Sequence, residues 1–159
     1  MLVRAARGSW RGIIAVTIVK YSNAGGFTMN EYPFPDTQDG TLEYCGYNVF
    51  PAFLENDPNI FFHGTSATSL EAILKSGFQM PPKGKAQSAS FATTSAVPLC
   101  YASEARSLSS PRGGIIAVRY ADLGRAGLGM SGDVLHDCTL QEQPEIVGFC
   151  FVPSDYAHR

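Results

Sequence analysis

Three separate segments of the sequence carry side chains whose chemistry suits a shared binding or catalytic site. In the first, Phe61-Phe62-His63-Gly64-Thr65, a histidine stands directly before a glycine. A histidine at the end of a strand can direct its ring into a cleft, and glycine lets a ligand approach the backbone closely. In the second, residues 90–101, hydroxyl residues precede Tyr101, whose ring can stack on a flat heterocycle. The third, residues 141–147, places the carboxylate of Glu145 before an apolar run, at the edge of a cleft.

Each segment taken alone also permits a purely structural interpretation. His63 could be satisfied by a local hydrogen bond in a strand-to-helix turn, Tyr101 could belong to the core, and residues 141–147 could form a solvated loop. The functional interpretation therefore depends on the three segments in combination, and on a fold that brings them together.

The pattern of apolar residues and turn formers predicts an α+β fold with several strands and two short helices. The strands are expected at 11–20, 42–47, 60–64, 90–93, 113–120 and 145–152, and the helices at 69–77 and 98–105. Thr65 or Ser66 can cap the first helix at its beginning, and Gly77 can cap its end. Residues 121–140 contain spaced glycines and are predicted to be irregular.

Length and composition fit one globular domain that spans residues 1–159. Residues 1–57 are expected to contribute a strand and an irregular segment, and residues 58–153 the core that carries the site. The formal net charge of −2, with no basic cluster after Arg11, argues against a nucleic-acid partner. The four cysteines are scattered, which indicates neither a zinc site nor a redox motif and favours a reducing compartment.

The N-terminal residues allow two interpretations. Arg4, Arg7 and Arg11 precede the apolar run 13–19, which gives the rough layout of a secretory signal, but the run is short and Lys20 ends it. The β-branched residues of the run favour a strand. No apolar run is long enough for a transmembrane helix, so we expect no membrane partner.

Together, the three segments resemble the ADP-ribosyltransferase superfamily, and in particular its His-Tyr-Glu branch of poly(ADP-ribose) polymerases and diphtheria-like toxins. In that branch a His-Gly-Thr or His-Gly-Ser string precedes a helix, and a Tyr-Phe-Ala string leads to a stacking tyrosine. Here Ser90-Phe91-Ala92 stands in the latter place with Tyr101 beyond it, and Glu145 precedes Ile-Val as the catalytic glutamate commonly does. The resemblance covers residues 60–152 and implies two packed, mainly antiparallel sheets that form a central NAD cleft.

The resemblance implies a role for each matching residue, with NAD as the substrate and no metal. His63 would hydrogen-bond the adenine-side ribose, and Gly64 would hold the nicotinamide carboxamide through its backbone, with Thr65 beside it. Tyr101 would stack on the nicotinamide ring. Glu145 would bind the hydroxyls of the other ribose and steady the positive charge that develops as the glycosidic bond breaks.

The sequence departs from the branch at two positions of the second segment. Ser90 replaces the first tyrosine of Tyr-Phe-Ala, so Phe91 or a residue of the loop 79–89 would have to complete the nicotinamide pocket. The serine that commonly supports the carboxamide is also missing, and Thr94 or Ser95 could serve instead.

The same chain shares features with the cholera-toxin-like branch. Residues 91–95 resemble its Ser-Thr-Ser motif, and Gln143-Pro144-Glu145 resembles the Gln-x-Glu form of its acceptor loop, although His63 occupies the site of that branch's arginine. In either branch Glu145 is the catalytic acid, and Gln143 is expected to contact the acceptor.

The sequence therefore predicts a mono-ADP-ribosyltransferase that acts on a macromolecular acceptor, most simply a protein, and that works as a monomer. An NAD glycohydrolase, an RNA 2′-phosphotransferase, a non-catalytic binding module of the same fold and an unrelated interaction protein are the alternatives. By analogy with small domains of this fold, the protein is expected to be cytoplasmic, or a secreted toxin or effector that acts in a host or target cytosol.

Overall fold

The computed structural model describes residues 19–22, 28–35, 48–80, 82 and 88–157. Its strands are β1 (Val19–Ser22), β2 (Thr28–Glu31), β3 (Ile60–Ser66), β4 (Ala89–Ala92), β5 (Gly113–Arg119), β6 (Leu128–Ser131), β7 (Val134–Asp137) and β8 (Glu145–Val152). Its helices are α1 (Ala52–Glu55), α2 (Ala67–Ser76) and α3 (Ala96–Glu104). Residues 11–18 of the first predicted strand and the predicted strand at 42–47 lie outside the described residues.

The strands form a single mixed sheet in the order β1-β2-β8-β5-β3-β4-β7-β6. Among the described strand pairs, β2 with β8 is parallel and the others are antiparallel. The α+β class is confirmed, but the prediction of two packed sheets is wrong. The reason is that β3 hydrogen-bonds to β5 on one side and to β4 on the other, which joins the two halves into one sheet.

Local sequence signals set the bounds of the elements around β3. Ser66 caps α2, as predicted, because its side-chain oxygen accepts a hydrogen bond from the backbone N–H of Ser69 at 3.2 Å. Gly77 ends α2 with a φ of +76°, a conformation that glycine adopts without steric cost. The predicted strand at 145–152 is confirmed in full, and α3 begins two residues before its predicted start at Pro98.

The sheet buries apolar residues on both faces because helices cover each of them. Alternate residues of β3 point to opposite faces, so Phe61 packs with Leu70 of α2 while Phe62 packs with Leu99 of α3. No helix in the described part of the chain has the length and apolar character that a bilayer crossing needs.

The prediction that residues 121–140 are irregular is wrong, because β6 and β7 form a hairpin there. Asp137, 0% exposed at the end of β7, accepts hydrogen bonds from the backbone N–H groups of Thr139 and Leu140 and pairs with Arg125. Burial by itself raises the pKa of Asp137, but the bonds from Leu140, Thr139 and Arg125 outweigh it and hold the pKa below its usual value. This buried carboxylate anchors the chain as it leaves the hairpin.

Two glycines let α3 lie directly on the sheet. A Cβ atom at Gly64 of β3 would lie 2.1 Å from the carbonyl oxygen of Pro98, and one at Gly113 of β5 would lie 2.2 Å from that of Ala102. Both partners are backbone atoms of α3, which cannot move aside separately. The position of α3, and therefore of Tyr101 on it, depends on these glycines.

Gly113→Ala is therefore expected to lower the free energy of unfolding by about 3 kcal/mol, because the new methyl group overpacks the contact with α3. Gly129→Ala on β6 is the matched control, since a Cβ there meets nothing within 4 Å, and it should change the free energy by less than about 0.5 kcal/mol. Urea unfolding followed by circular dichroism measures both. Equal stabilities of the two variants would contradict this account of α3 packing.

Candidate functional site

The candidate site lies where β3 and β4 diverge. β3 has seven registered partners on β5 but only one on β4, the pair Phe62 with Ala92. Beyond this pair, toward the end of β3, the backbone of β4 is bonded by the side chain of His63 and not by the backbone of β3. The ring nitrogen Nδ1 of His63 lies 2.9 Å from the carbonyl oxygen of Ser90. The divergence opens a cleft with His63 at its base.

The hydrogen bond to Ser90 fixes the protonation pattern of His63. A carbonyl oxygen only accepts, so Nδ1 must carry the proton and the neutral ring presents Nε2 as an acceptor. The ring also packs edge-on against Phe78 at 5.4 Å between centroids, and in a tilted arrangement against Phe91 at 5.6 Å. This burial lowers the pKa of His63, and the bond to Ser90 offsets only part of the effect. His63 is therefore neutral at physiological pH.

A cavity of about 330 Å³ occupies the cleft beside His63. Its walls combine aromatic and aliphatic groups with a few polar ones, and they are formed by Phe62, His63, Gly64, Ser90, Phe91, Ala92, Val97, Pro98, Tyr101, Val134 and His136. Tyr101 is 60% exposed, which for a residue on a short packed helix leaves much of the ring free to contact a ligand. The cleft thus brings together His63, Gly64, Phe91 and Tyr101 of the predicted site.

Glu145 does not line this cavity. It lines a separate cavity beside α2. It begins β8 opposite Arg119, and Arg119 in turn pairs with Ile60, three residues before His63. With about 3.3 Å per residue and 4.8 Å per strand, the Cα atoms of Glu145 and His63 are on the order of 14 Å apart. The carboxylate contacts Arg119 at 3.3 Å, and the same guanidinium lies 3.7 Å from Asp57.

Cavities that share wall residues connect Glu145 with the His63 cleft. A second cavity, of about 700 Å³, shares His63 and Ser90 with the first and continues along α2 to Ile73 and Gly77. A third, of about 320 Å³, shares Ile73 and Gly77 with the second and reaches Glu145. We call these three adjoining cavities together the long groove, because shared wall residues link Tyr101, His63 and Glu145. The first cavity lies beside α3 and the other two lie beside α2, on the opposite face of the sheet.

Three further predicted site residues, Thr65, Thr94 and Ser95, do not line the long groove in the described part of the chain. Ser95 is 0% exposed. Its hydroxyl accepts a hydrogen bond from the backbone N–H of Val49 at 2.8 Å and donates one to the carboxylate of Glu55. Burial raises the pKa of Glu55, and the hydrogen bonds from Ser95 and Phe50 counteract the rise. Ser95 therefore joins α3 to α1. Thr65 and Thr94 are half-buried and lie outside the walls of the three cavities.

Gln143 is committed to the protein itself. Its side-chain oxygen accepts from the backbone N–H of Phe78 at 2.7 Å, and its side-chain nitrogen donates to the carbonyl oxygen of Phe78 at 3.0 Å. The acceptor contact predicted for Gln143 remains a prediction, and a second N–H and a second oxygen lone pair of the carboxamide are left beyond the two bonds to Phe78.

His136 is a wall residue that sequence reasoning missed. It lies on β7 opposite Ser90, with Nδ1 3.0 Å from the hydroxyl of Ser90 and 3.3 Å from that of Ser88. Two imidazoles thus flank Ser90: His63 hydrogen-bonds to the backbone carbonyl of Ser90, and His136 hydrogen-bonds to the hydroxyl of Ser90. Residues 134–137 (Val-Leu-His-Asp) show no alternation of apolar and polar types, and the glycines before them suggested a loop, so no signal in the sequence indicated this strand.

The lowered pKa of His63 predicts a loss of stability at acidic pH. The unfolded chain takes up the proton near the ordinary value of 6.5, before the folded chain does. Stability should therefore fall as the pH drops below about 6.5 and level off below the lower pKa of the folded state. His63→Asn can keep a donor near Ser90 but does not titrate, so its stability should change less over this window.

Urea unfolding between pH 5 and 8 measures this difference, and the ring signals of His63 in an NMR titration give the pKa directly. A titration midpoint at or above 6.5 would contradict the half-buried, neutral ring inferred for His63.

Comparison of the chain with protein-family models, with curated proteins and with solved structures yields no match. The assignment of a function therefore depends on the residues and the geometry of the long groove.

Proposed function

We propose that this protein is an NAD-dependent mono-ADP-ribosyltransferase, which cleaves the bond between nicotinamide and ribose and transfers ADP-ribose to a protein acceptor. The observation that carries the proposal is the long groove, which holds a neutral His63 between an exposed aromatic ring at one end and a carboxylate at the other. An aromatic face, a neutral imidazole that can accept a hydrogen bond and a carboxylate are groups that suit a ligand with rings and sugar hydroxyls.

The protonation pattern of His63 supports a sugar ligand. Because Nδ1 donates to the carbonyl of Ser90, Nε2 can accept a hydrogen bond from a ribose hydroxyl. Protonated histidine could only donate, and an uncharged ring is favoured among Phe78 and Phe91. This arrangement matches the role that the resemblance implies for His63.

The cleft beside Tyr101 supports binding of the nicotinamide ring. Its walls are mainly apolar, and the exposed face of Tyr101 can stack on a planar heterocycle. Phe91 is 1% exposed and packs against His63, so it forms the floor of the cleft, while Ser90 stands where the resemblance has a second stacking tyrosine. In the proposed complex a single aromatic face, that of Tyr101, therefore holds the base.

Glu145 would act on the sugar half of the nicotinamide riboside. When the glycosidic bond breaks, nicotinamide leaves as a neutral molecule with the bonding electron pair, and positive charge develops on the ribose. The carboxylate of Glu145 would stabilise this charge, and the nucleophile of the acceptor would then bond to the same carbon and lose its proton. Because nicotinamide is bonded directly to this ribose, Tyr101 and Glu145 must contact adjoining parts of NAD. The proposed reaction therefore requires the Tyr101 and Glu145 cavities to close together around the substrate.

A non-catalytic NAD-binding module is the second candidate. The observation that favours it is the position of Glu145, which contacts Arg119 and lines a different section of the long groove from Tyr101. In that case the protein would bind NAD without releasing nicotinamide.

Release of nicotinamide from NAD tests the proposal. We expect the purified protein to release nicotinamide, and Glu145→Gln to lower the rate about 10²- to 10³-fold, because an amide cannot balance the developing charge. Glu142→Gln, an exposed acid of the same loop, is the matched control and should keep the rate. Thermal unfolding verifies that both variants fold.

The fate of the labelled ADP-ribose distinguishes the possible outcomes of this assay. With labelled NAD and a cell lysate, label on protein supports transfer, whereas release without label identifies a glycohydrolase. Binding of NAD without release would identify the binding module, and the absence of both would rule out an NAD protein.

The exposed ring of Tyr101 gives a separate prediction. Tyr101→Ala should raise KM for NAD about tenfold, the factor expected when a stacking contact worth about 1.5 kcal/mol is lost. Because the side chain is 60% exposed, the melting temperature should change little. Tyr101→Phe retains the ring face and should behave like the unaltered protein. Equal effects of Ala and Phe would show that the hydroxyl, and not the stacking face, matters.

A further inference from the structure

The side chain of Gln143 pairs with the backbone of Phe78 in the way that one strand pairs with another. Its carboxamide oxygen accepts from the Phe78 N–H at 2.7 Å, and its nitrogen donates to the Phe78 carbonyl at 3.0 Å. The neighbouring Gly77 has a φ of +76°, and a Cβ there would lie 2.9 Å from the same carboxamide oxygen. The end of α2 is therefore shaped to receive this amide.

Phe78 connects this pairing with the centre of the site. Its ring is 4% exposed and packs edge-on against His63 at 5.4 Å and against Phe91 at 5.1 Å between centroids. A displacement of the Phe78 backbone would move the ring and loosen the contacts that surround the imidazole. Gln143 thus acts on His63 through Phe78.

The chain around Gln143 connects the same pairing with Glu145. Pro144 is buried and links Gln143 directly to Glu145, which begins β8. On the other side, the backbone carbonyl of Glu142 accepts from Arg125 at 3.3 Å, and the N–H of Leu140 donates to the buried Asp137 at 2.9 Å. The loop is held at both ends, so the direction in which Glu145 leaves it is set by these bonds.

We propose that Gln143 is a positioning residue, whose carboxamide fixes the distance between His63 and Glu145 along the long groove by tying Phe78 to the loop that precedes β8. The inference rests on the proposed function as far as activity is concerned. It is an alternative to the acceptor contact expected from the sequence, because the carboxamide already donates to and accepts from Phe78.

The pairing needs an amide in particular. Gln143→Glu keeps an oxygen that can accept from Phe78 but loses the donor, and Gln143→Met keeps the length of the side chain but loses both groups. Gln141→Met is the matched control, since Gln141 is an exposed glutamine of the same loop. The three variants separate the hydrogen bonds from the bulk of the side chain.

Amide hydrogen exchange of Phe78 tests the structural part of the inference. In Gln143→Met the exchange should accelerate at least about tenfold, the factor that corresponds to the loss of one ordinary hydrogen bond, and the NMR signals of the His63 ring should shift. Gln143→Glu should show a smaller change, and Gln141→Met none. Unchanged Phe78 exchange in Gln143→Met, or faster exchange with unmoved His63 signals, would overturn the proposal.

The ratio of two activities separates positioning from acceptor contact. If Gln143 positions His63 and Glu145, Gln143→Met should lower NAD hydrolysis and protein labelling by the same factor, about tenfold, and leave their ratio unchanged. Loss of labelling with unchanged hydrolysis would overturn the proposal in favour of an acceptor contact. If the unaltered protein releases no nicotinamide, the proposed function fails while the exchange and NMR results still decide the role of Gln143.

Discussion

The unequal pairing of β3 is the constraint on which the rest of the site depends. Its full register with β5 fixes the strand in the core, and its single pair with β4 lets the two strands separate after Phe62. Backbone groups at such a separation need other partners or a solvated cleft. The His63 ring supplies one of these partners, and Phe78 and Phe91 enclose it. The cleft is thus a consequence of strand geometry.

The frame around this cleft is rigid because its connections are made by buried polar groups and by glycines. Ser95 and Glu55 join α3 to α1, and Gly64 lets α3 approach β3 to backbone contact. Asp137 with Arg125 anchors the chain beyond the β6–β7 hairpin. Removing one member of such a buried pair leaves its partner without compensation, which is costly in a low-dielectric interior. Tyr101 can therefore remain exposed and still keep a defined position.

Sequence reasoning was most successful where the signal is local. The cap at Ser66, the glycine end at Gly77 and the whole of β8 follow from side-chain chemistry and apolar pattern within a few residues. It failed for residues 121–140, because glycines in a hairpin look like those of a loop when the partner strand β4 is not known. For the same reason His136 was left without a role, since its partners Ser88 and Ser90 lie far from it in the chain.

By itself, the sequence determined the α+β class, the elements that carry His63, Tyr101 and Glu145, and the residue types available for chemistry. Only the tertiary structure decided that the strands form a single sheet, that Ser95 is buried, and that the amide of Gln143 hydrogen-bonds to the backbone of Phe78. It also decided that Tyr101 and Glu145 line different cavities, one beside α3 and the other beside α2. Helix caps and periodic patterns act between neighbours in the chain, whereas strand order and hydrogen-bond partners are fixed by packing between distant segments, which no local pattern records.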